Sequence, residues 1–350
     1  MKKLRILVTT IGGLTSPDCL LALRNNGERE VFLLGSDAFS GACGRSFVDQ
    51  YELSPNSATD EIAFVEFVKR MVEQYDIDVI IPCGNDDNLA LAKYKTSFDI
   101  PIMVGSYEEL LIAYDKGAVY EALSLHIPSN APKYKIVSTY TDFLDSIHSL
   151  GYPYKKLVVK PRFGRGGRGV YILNDMSNSA ELFSSKPTNE MPLSFFEATL
   201  QKKAFFDDLI IMECLSEPFV SAYSLCQKGQ NLLTIQHIRE WGNASQTYRG
   251  NVSYNKELEY LCSTIINIFN LDYTNNMELA YNTDSQLVLF DLNPRLGASS
   301  GIDIHLGVNF PYLALKLTLG ESVTLDYDKI HTINNQKFYR YFSQWWDNML

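Results

Sequence analysis

Lys160-Pro161-Arg162-Phe163-Gly164-Arg165-Gly166-Gly167-Arg168-Gly169 places four glycines among cations, after the apolar run Leu157-Val158-Val159 and before Val170-Tyr171-Ile172-Leu173. Both flanks read as strands, so the glycines lie in a strand-to-strand connection. A plain turn needs one or two glycines. A larger number lets the backbone take positive φ and approach a ligand, with successive N–H groups turned toward phosphate oxygens. Lys160, the last residue of its strand, can set an ammonium against the same oxygens, while Arg165 and Arg168 add charge or face solvent. No G-x-x-x-x-G-K-[ST] run occurs, which excludes a Walker-type loop, and the position between two strands separates this loop from the strand-to-helix loop of dinucleotide sites.

Farther along, Asn276 to Asn282 and Leu287 to Asn293 flank the polar turn Thr283-Asp284-Ser285-Gln286. A hairpin symmetric about the Asp284–Ser285 bond sets Glu278 across from Asp291 and Asn276 across from Asn293. Alternation then predicts an apolar face of Met277, Leu279, Tyr281, Val288, Phe290 and Leu292. Like charges directly opposite destabilise a sheet unless a cation compensates. Mg²⁺, held by one or two carboxylates plus substrate phosphates, is the usual one. Asn293 can add a neutral oxygen, and Arg295 beyond Pro294 is placed to reach a phosphoryl oxygen.

Upstream, strand and helix signals alternate through the first hundred or so residues. Ile6-Leu7-Val8-Thr9, Val31 to Leu34, Val79-Ile80-Ile81 and Ile102-Met103-Val104 read as short buried strands. Ile62, Val65, Val68, Met71, Val72 and Tyr75 read as one face of a helix. That rhythm predicts a Rossmann-like parallel sheet. Ile11-Gly12-Gly13 follows the first strand and Asp37 the second, but the full G-x-G-x-x-G pattern is missing. An open crevice for a small substrate is expected there rather than a dinucleotide. Tyr107 to Leu123 reads as a helix broken around Gly117, Thr139 as the cap of a helix through Ser149, and Val220 to Cys226 with Leu232 to Ile238 as a hairpin about Lys228-Gly229.

Composition bounds the rest. A chain of 350 residues gives about two or three domains at roughly 150 residues each, and the net charge of -10 argues against a nucleic-acid coat. The six cysteines show no CxxC pair and read as separate buried thiols in a reducing compartment. The short apolar run after Met1-Lys2-Lys3 reads as a strand rather than a secretion signal, and no stretch is long enough to span a membrane. A cytoplasmic protein with neither nucleic acid nor membrane as partner is the expectation.

In chain order, Asp115-Lys116, Val158-Val159-Lys160-Pro161 with the glycine loop, Glu213, and Asp291-Leu292-Asn293-Pro294-Arg295 resemble the ATP-grasp superfamily. The branch is that of the carbamoyl phosphate synthase large chain, biotin carboxylase and carboxylate–amine ligases, and the likeness runs from about residue 4 to about 320. It implies an α/β and α+β chain. A Rossmann-like N-terminal domain over 1–115 would precede a two-subdomain ATP-grasp fold over 116–320, with a lid at roughly 127–212 and a C-terminal extension over 321–350 packed on the body.

The resemblance assigns roles as well. Lys116, Lys160 and the loop glycines Gly164, Gly166, Gly167 and Gly169 would contact ATP phosphates. Glu213 would lie in the adenine–ribose cleft. Glu278 and Asp291 would hold Mg²⁺ (or Mn²⁺) with help from Asn293, and Arg295 would stabilise the transferring phosphoryl group. The implied activity is an ATP-dependent ligase that activates a small carboxylic acid, an amino acid foremost, as an acyl phosphate and couples it to an amine. A carboxyphosphate-forming carboxylase subunit and a nucleotide-binding regulatory protein without turnover are the alternatives. Related enzymes often form dimers, so a homodimer is the assembly to test. Two departures stand out. The second ribose-binding glutamate of many members is replaced by Phe219 or Val220, with Glu217 displaced as its substitute, and the metal acid before Asn293 is Asp rather than Glu. Arg239 and Arg249 are candidates to receive the substrate carboxylate, with Ser299, Ser300 and Gly301 near the same pocket.

Overall fold

The computed structural model describes residues 3–164, 166–175, 188–242, 247–341, 343–344 and 346. Arg165 of the glycine loop lies outside the described residues, as does part of the polar stretch before residue 208.

Strands β1 (Leu4–Thr9), β2 (Val31–Asp37), β3 (Gln50–Leu53) and β4 (Val79–Pro82) form a parallel sheet in the order β3-β2-β1-β4. The apolar run of β1 serves both faces, as period 2 requires. Ile6 and Val8 pack with Leu20 and Leu23 of the helix Ser16–Arg24, while Leu7 packs with Phe64 and Val68 of the helix Glu61–Gln74. That second helix buries Phe64, Val65, Phe67, Val68 and Met71, whereas Ile62, in its first turn, is 67% exposed. The expected face was therefore rotated. Two phenylalanines offered more apolar area than one isoleucine, and area removed from water decides which side turns inward. The strand expected at Ile102–Val104 is reduced to one bridge, Ile80 to Ile102.

The second sheet holds β5 (Tyr134–Val137), β6 (Leu157–Pro161), β7 (Tyr171–Leu173), β8 (Glu190–Met191) and β9 (Leu209–Glu213), in the order β5-β9-β6-β7-β8. Its own small core gathers Phe143 and Ile147 of the helix Tyr140–Ser149 with Leu157, Val159, Phe196 and Ile211. Thr139 caps that helix by accepting the Asp142 N–H, as its sequence position predicts. The glycine loop connects β6 to β7, with Gly166, Gly167 and Gly169 all at positive φ.

The third sheet comprises β10 (Ser216–Gln227), β11 (Gln230–Gly242), β12 (Thr247–Ser253), β13 (Tyr273–Tyr281), β14 (Leu287–Asn293) and β15 (Gln336–Tyr339), in the order β14-β13-β10-β11-β12-β15. The hairpin about Lys228-Gly229 is β10–β11. Val220, Ala222, Met277, Leu279 and Leu292 turn to one face, against the helices Lys116–His126 and Lys256–Ile268. Tyr223, Leu225, Leu233 and Ile235 turn to the other face. There they share a core with Ile6 and Val8 of the first sheet and with Phe310 and Leu315 of the helix Phe310–Thr318. The first and third sheets are thus joined through common apolar packing. The helix predicted over 107–123 is two helices, Tyr107–Tyr114 and Lys116–His126. The break falls at Asp115 rather than Gly117 because the Asp115 carboxylate accepts the N–H groups of Gly117 and Ala118 and starts the second helix.

The β13–β14 register pairs Asn276 with Asn293 and Glu278 with Asp291, as the symmetric turn predicts. It then shifts, so that Leu279 pairs with Leu289 and Ala280 with Val288. Phe290 is the extra residue of a β-bulge, which corrects the expected apolar face: Leu289 is fully buried and Phe290 is not. The Phe290 carbonyl at this bulge accepts from side chains of other elements, described below. No helix among the described residues is long and apolar enough to cross a membrane.

Candidate active site

Asp291, Glu278 and Ser221 stand opposite one another across β14, β13 and β10. His237 continues the row on β11, and Arg239 lies two residues farther along on the same face. Sheet geometry alone therefore makes one end of this face a band of polar side chains. Ser221 Oγ lies 2.9 and 3.0 Å from the two Glu278 oxygens, Asn276 Nδ2 donates to Glu278 Oε1 at 3.0 Å, and Arg239 Nη2 approaches Glu278 Oε2 at 3.6 Å. Asn293 Nδ2 donates to Asp291 Oδ2 at 2.9 Å.

The second sheet brings its cations onto this band. Lys160 is 5% exposed, and its Nζ donates to the Phe290 carbonyl at 3.0 Å and to Tyr120 Oη at 2.7 Å. Tyr120 in turn donates to the same carbonyl at 2.6 Å. Lys116 Nζ lies 2.7 Å from Asp291 Oδ1 and donates to the Gly164 carbonyl at 3.1 Å, so one ammonium spans from the glycine loop to the acidic hairpin. Arg162 grips Asp115 through two contacts at 2.7 and 2.6 Å and reaches Asp208 at 2.9 Å, anchoring β6 to the helix that carries Lys116 and Tyr120.

The two facing carboxylates are in opposite electrostatic states. Burial works against the Asp291 charge, but Lys116 and Lys160 outweigh it and hold its pKa below the ordinary value. Glu278 is pushed up by burial, which Arg239, Asn276 and Ser221 only partly offset. Burial also drives Lys160 down to about 7; Asp291 opposes that shift and Lys116 adds to it. The site is a cation-rich and anion-rich pocket whose charges are incompletely balanced, which is where a ligand carrying both phosphates and a divalent ion gains most.

Arg295 is held by Asn85 Oδ1 of the first sheet's domain at 2.6 Å and by Asn293 Oδ1 at 3.2 Å, so it sits where the first and third sheets meet. Glu213 ends β9, with Oε1 accepting the Lys133 N–H at 2.8 Å. Glu217 is exposed at the start of β10. Arg249 turns to Glu240 at 3.3 Å with half its side chain in solvent. Of the two candidate arginines, it is Arg239 that the fold brings to Glu278. At the first sheet, the Gly12 N–H donates to Asp37 Oδ2 at 2.7 Å, so a carboxylate stands where a dinucleotide phosphate would have to bind. Sequence reading missed Tyr120 and Ser221. Tyr120 is four residues after Lys116 and so on the same helical face, and Ser221 is a polar interruption in an apolar strand; both signals were present.

A strand-borne lysine and a glycine loop on the second sheet meet an acidic hairpin on the third, and the chain has the fold of ATP-grasp proteins. Residues 205–339 match the family described as ATP-grasp in the biosynthetic pathway with Ter operon. Among solved structures, the fold is similar to L-amino acid ligase from Bacillus licheniformis, with a TM-score of 0.65 and 14% identity over 96% of this chain and 78% of that one. N5-carboxyaminoimidazole synthetase from Staphylococcus aureus, complexed with ADP, gives 0.64 and 16% identity over 97% of this chain and 81% of that one. Biotin carboxylase from Campylobacter jejuni gives 0.64 and 13% identity over 93% and 73%. No curated protein matches the sequence.

Proposed function

We propose that the protein is an ATP- and Mg²⁺-dependent carboxylate–amine ligase that activates a small carboxylic acid, an amino acid foremost, as an acyl phosphate and couples it to an amine. The observation that carries this reading is the meeting of Lys160, Lys116 and the glycine loop with the Glu278–Asp291 pair. The donor set fits a hard divalent ion: two carboxylate side chains face each other in register, with Asn293 alongside, and substrate phosphates complete such shells. When bound, that ion would neutralise charge on the phosphate oxygens. The chain's own residues then do the rest. Lys160 and Lys116 bind phosphate oxygens, and the glycine loop closes over them and excludes water from an intermediate that hydrolyses readily. Arg295 spreads charge on the transferring group. A carboxylate oxygen of the acid forms the new P–O bond as the bond to ADP breaks. The amine then forms the C–N bond, phosphate leaves with the C–O electron pair, and the amine loses a proton.

An amino-acid matrix screened for ADP release, with mass spectrometry of the products, tests the reading. A ligase yields ADP, phosphate and a condensed product; ADP with a stable phosphorylated acid points to a kinase, and nucleotide binding without ADP release in any well points to a regulatory protein. A second expected outcome concerns protons. With Lys160 poised near 7, phosphate anions favour its charged form, so nucleotide binding at about pH 8 takes up close to one proton. Calorimetry in two buffers of different ionisation enthalpy measures this, and Lys160→Met should abolish the uptake. The same depression disfavours the folded state below about 7, where Lys160 must carry its charge, and the penalty is relieved as pH rises from there toward the ordinary lysine value.

A further inference from the structure

Asp18 lies in the first turn of the helix Ser16–Arg24, outside the carboxyl end of β1, the place where open parallel sheets hold ligands. The segment just after Arg295 packs against it. A Cβ on Gly301 would fall 2.9 Å from that of Asp18, and the Gly301 N–H hydrogen-bonds the Asp18 carboxylate. On its other side this segment meets Tyr223, which pairs with Asn276 beside Glu278, hydrogen-bonds Ser299 and abuts Gly297. Arg340, one residue past β15, reaches over the segment: Nη2 is 3.2 Å from Asp18 Oδ2 and Nη1 is 3.3 Å from Ser299 Oγ.

The quality of these contacts is informative. Arg162 meets Asp115 through two contacts at 2.7 and 2.6 Å, and Arg29 meets Glu321 through two at 2.8 and 2.6 Å, the closed forks expected of ion pairs that hold a structure together. Arg340 touches Asp18 through one long contact and turns its other Nη to Ser299, so among the described residues it closes no fork on a carboxylate. Burial keeps the Asp18 carboxyl above its ordinary range despite the arginine, so the anion is under-compensated. In the same segment, Ser300 Oγ is buried without a partner among the described residues.

We propose that Asp18 and Arg340 recognise the two ends of an α-amino acid, its ammonium at Asp18 and its carboxylate at Arg340, the zwitterion inserting into the open pair. This rests on the ligase reading above and names its acid. An ammonium held by Asp18 stays protonated and cannot attack, so this amino acid enters as the carboxylate component and a second molecule brings the amine.

Calorimetric titration decides it, using the proteinogenic amino acids, their carboxamides and their N-acetyl forms, with and without Mg²⁺ and a non-hydrolysable ATP analogue. Wild type should bind at least one free amino acid about 10-fold or more tighter than its amide. Arg340→Met should weaken the free acid by about 10- to 100-fold and erase the preference over the amide. Asp18→Asn should erase the preference over the N-acetyl form. Nucleotide affinity unchanged in both variants reports an intact fold. Absence of amino-acid binding to wild type, or equal loss of acid and amide in Arg340→Met, overturns the proposal. If Arg340→Met also loses nucleotide, Arg340→Lys decides: it retains the charge and should keep the acid preference, and a preference lost there overturns the assignment. Failure of the ligase reading looks different: the ADP-release screen then yields no condensed product, while the titrations without nucleotide still judge Asp18 and Arg340.

Discussion

Lys160→Met lowers ADP formation by at least about 100-fold, the scale of losing one electrostatic contact made in the transition state, while the folded protein holds or gains stability near neutral pH. The two effects separate because, among the described residues, Lys160 has no dedicated carboxylate of its own. Its nearest partners are a tyrosine hydroxyl and a backbone carbonyl, and the Asp291 charge is shared with Lys116. Methionine fills the same volume without the desolvated ammonium, and Tyr120 continues to satisfy the Phe290 carbonyl. A coupled ADP assay beside thermal unfolding reads both quantities. Near-normal turnover in the variant would remove Lys160 from the phosphate site.

The two acids of the hairpin are expected to part company in the same way. Glu278→Gln and Asp291→Asn should each reduce Mg²⁺-dependent ADP formation by about 100-fold or more, but with opposite effects on stability. Asp291→Asn leaves Lys116 and Lys160 facing each other without their shared anion. It should destabilise by about 3 kcal/mol, the low end for breaking a buried pair, because 28% of the Asp291 side chain reaches solvent. The Asp291 pKa is depressed, so wild type holds this advantage above the ordinary carboxylate value and loses it as the pH falls through the folded value. Glu278 is raised, so its charge becomes a burden as the pH climbs through the folded value, and Glu278→Gln should match or exceed wild type at neutrality. Urea midpoints across an acid-to-neutral series resolve the two trends. Equal losses in both variants would mean that the carboxylates share one environment.

How far these groups were legible in advance varies with the physics behind each. The pairing of Glu278 with Asp291 followed from assuming a symmetric turn, yet the pairs nearest the turn run one residue out of that register and the bulge restores it. The bulge at Phe290 did not follow, because both registers bury apolar residues and only packing under the helix Lys116–His126 chooses between them. Yet the carbonyl that Lys160 and Tyr120 share lies at that bulge. Arg239 and Arg249 were equivalent candidates by sequence. A sheet face separates them: Arg239 shares its face with Glu278, whereas Arg249 turns to Glu240.

The order of the glycine loop, the lysine before it and the paired acids after it was sufficient to name the fold and to propose a phosphate-binding element and metal-type donors, because each depends on residue types at short separations. Charge balance within the pocket, the choice of Arg239, and the approach of Arg340 to Asp18 across 322 positions of chain needed the folded molecule. Such long-range contacts are set by which faces the sheets and helices bury against one another, and no local pattern of residues encodes that.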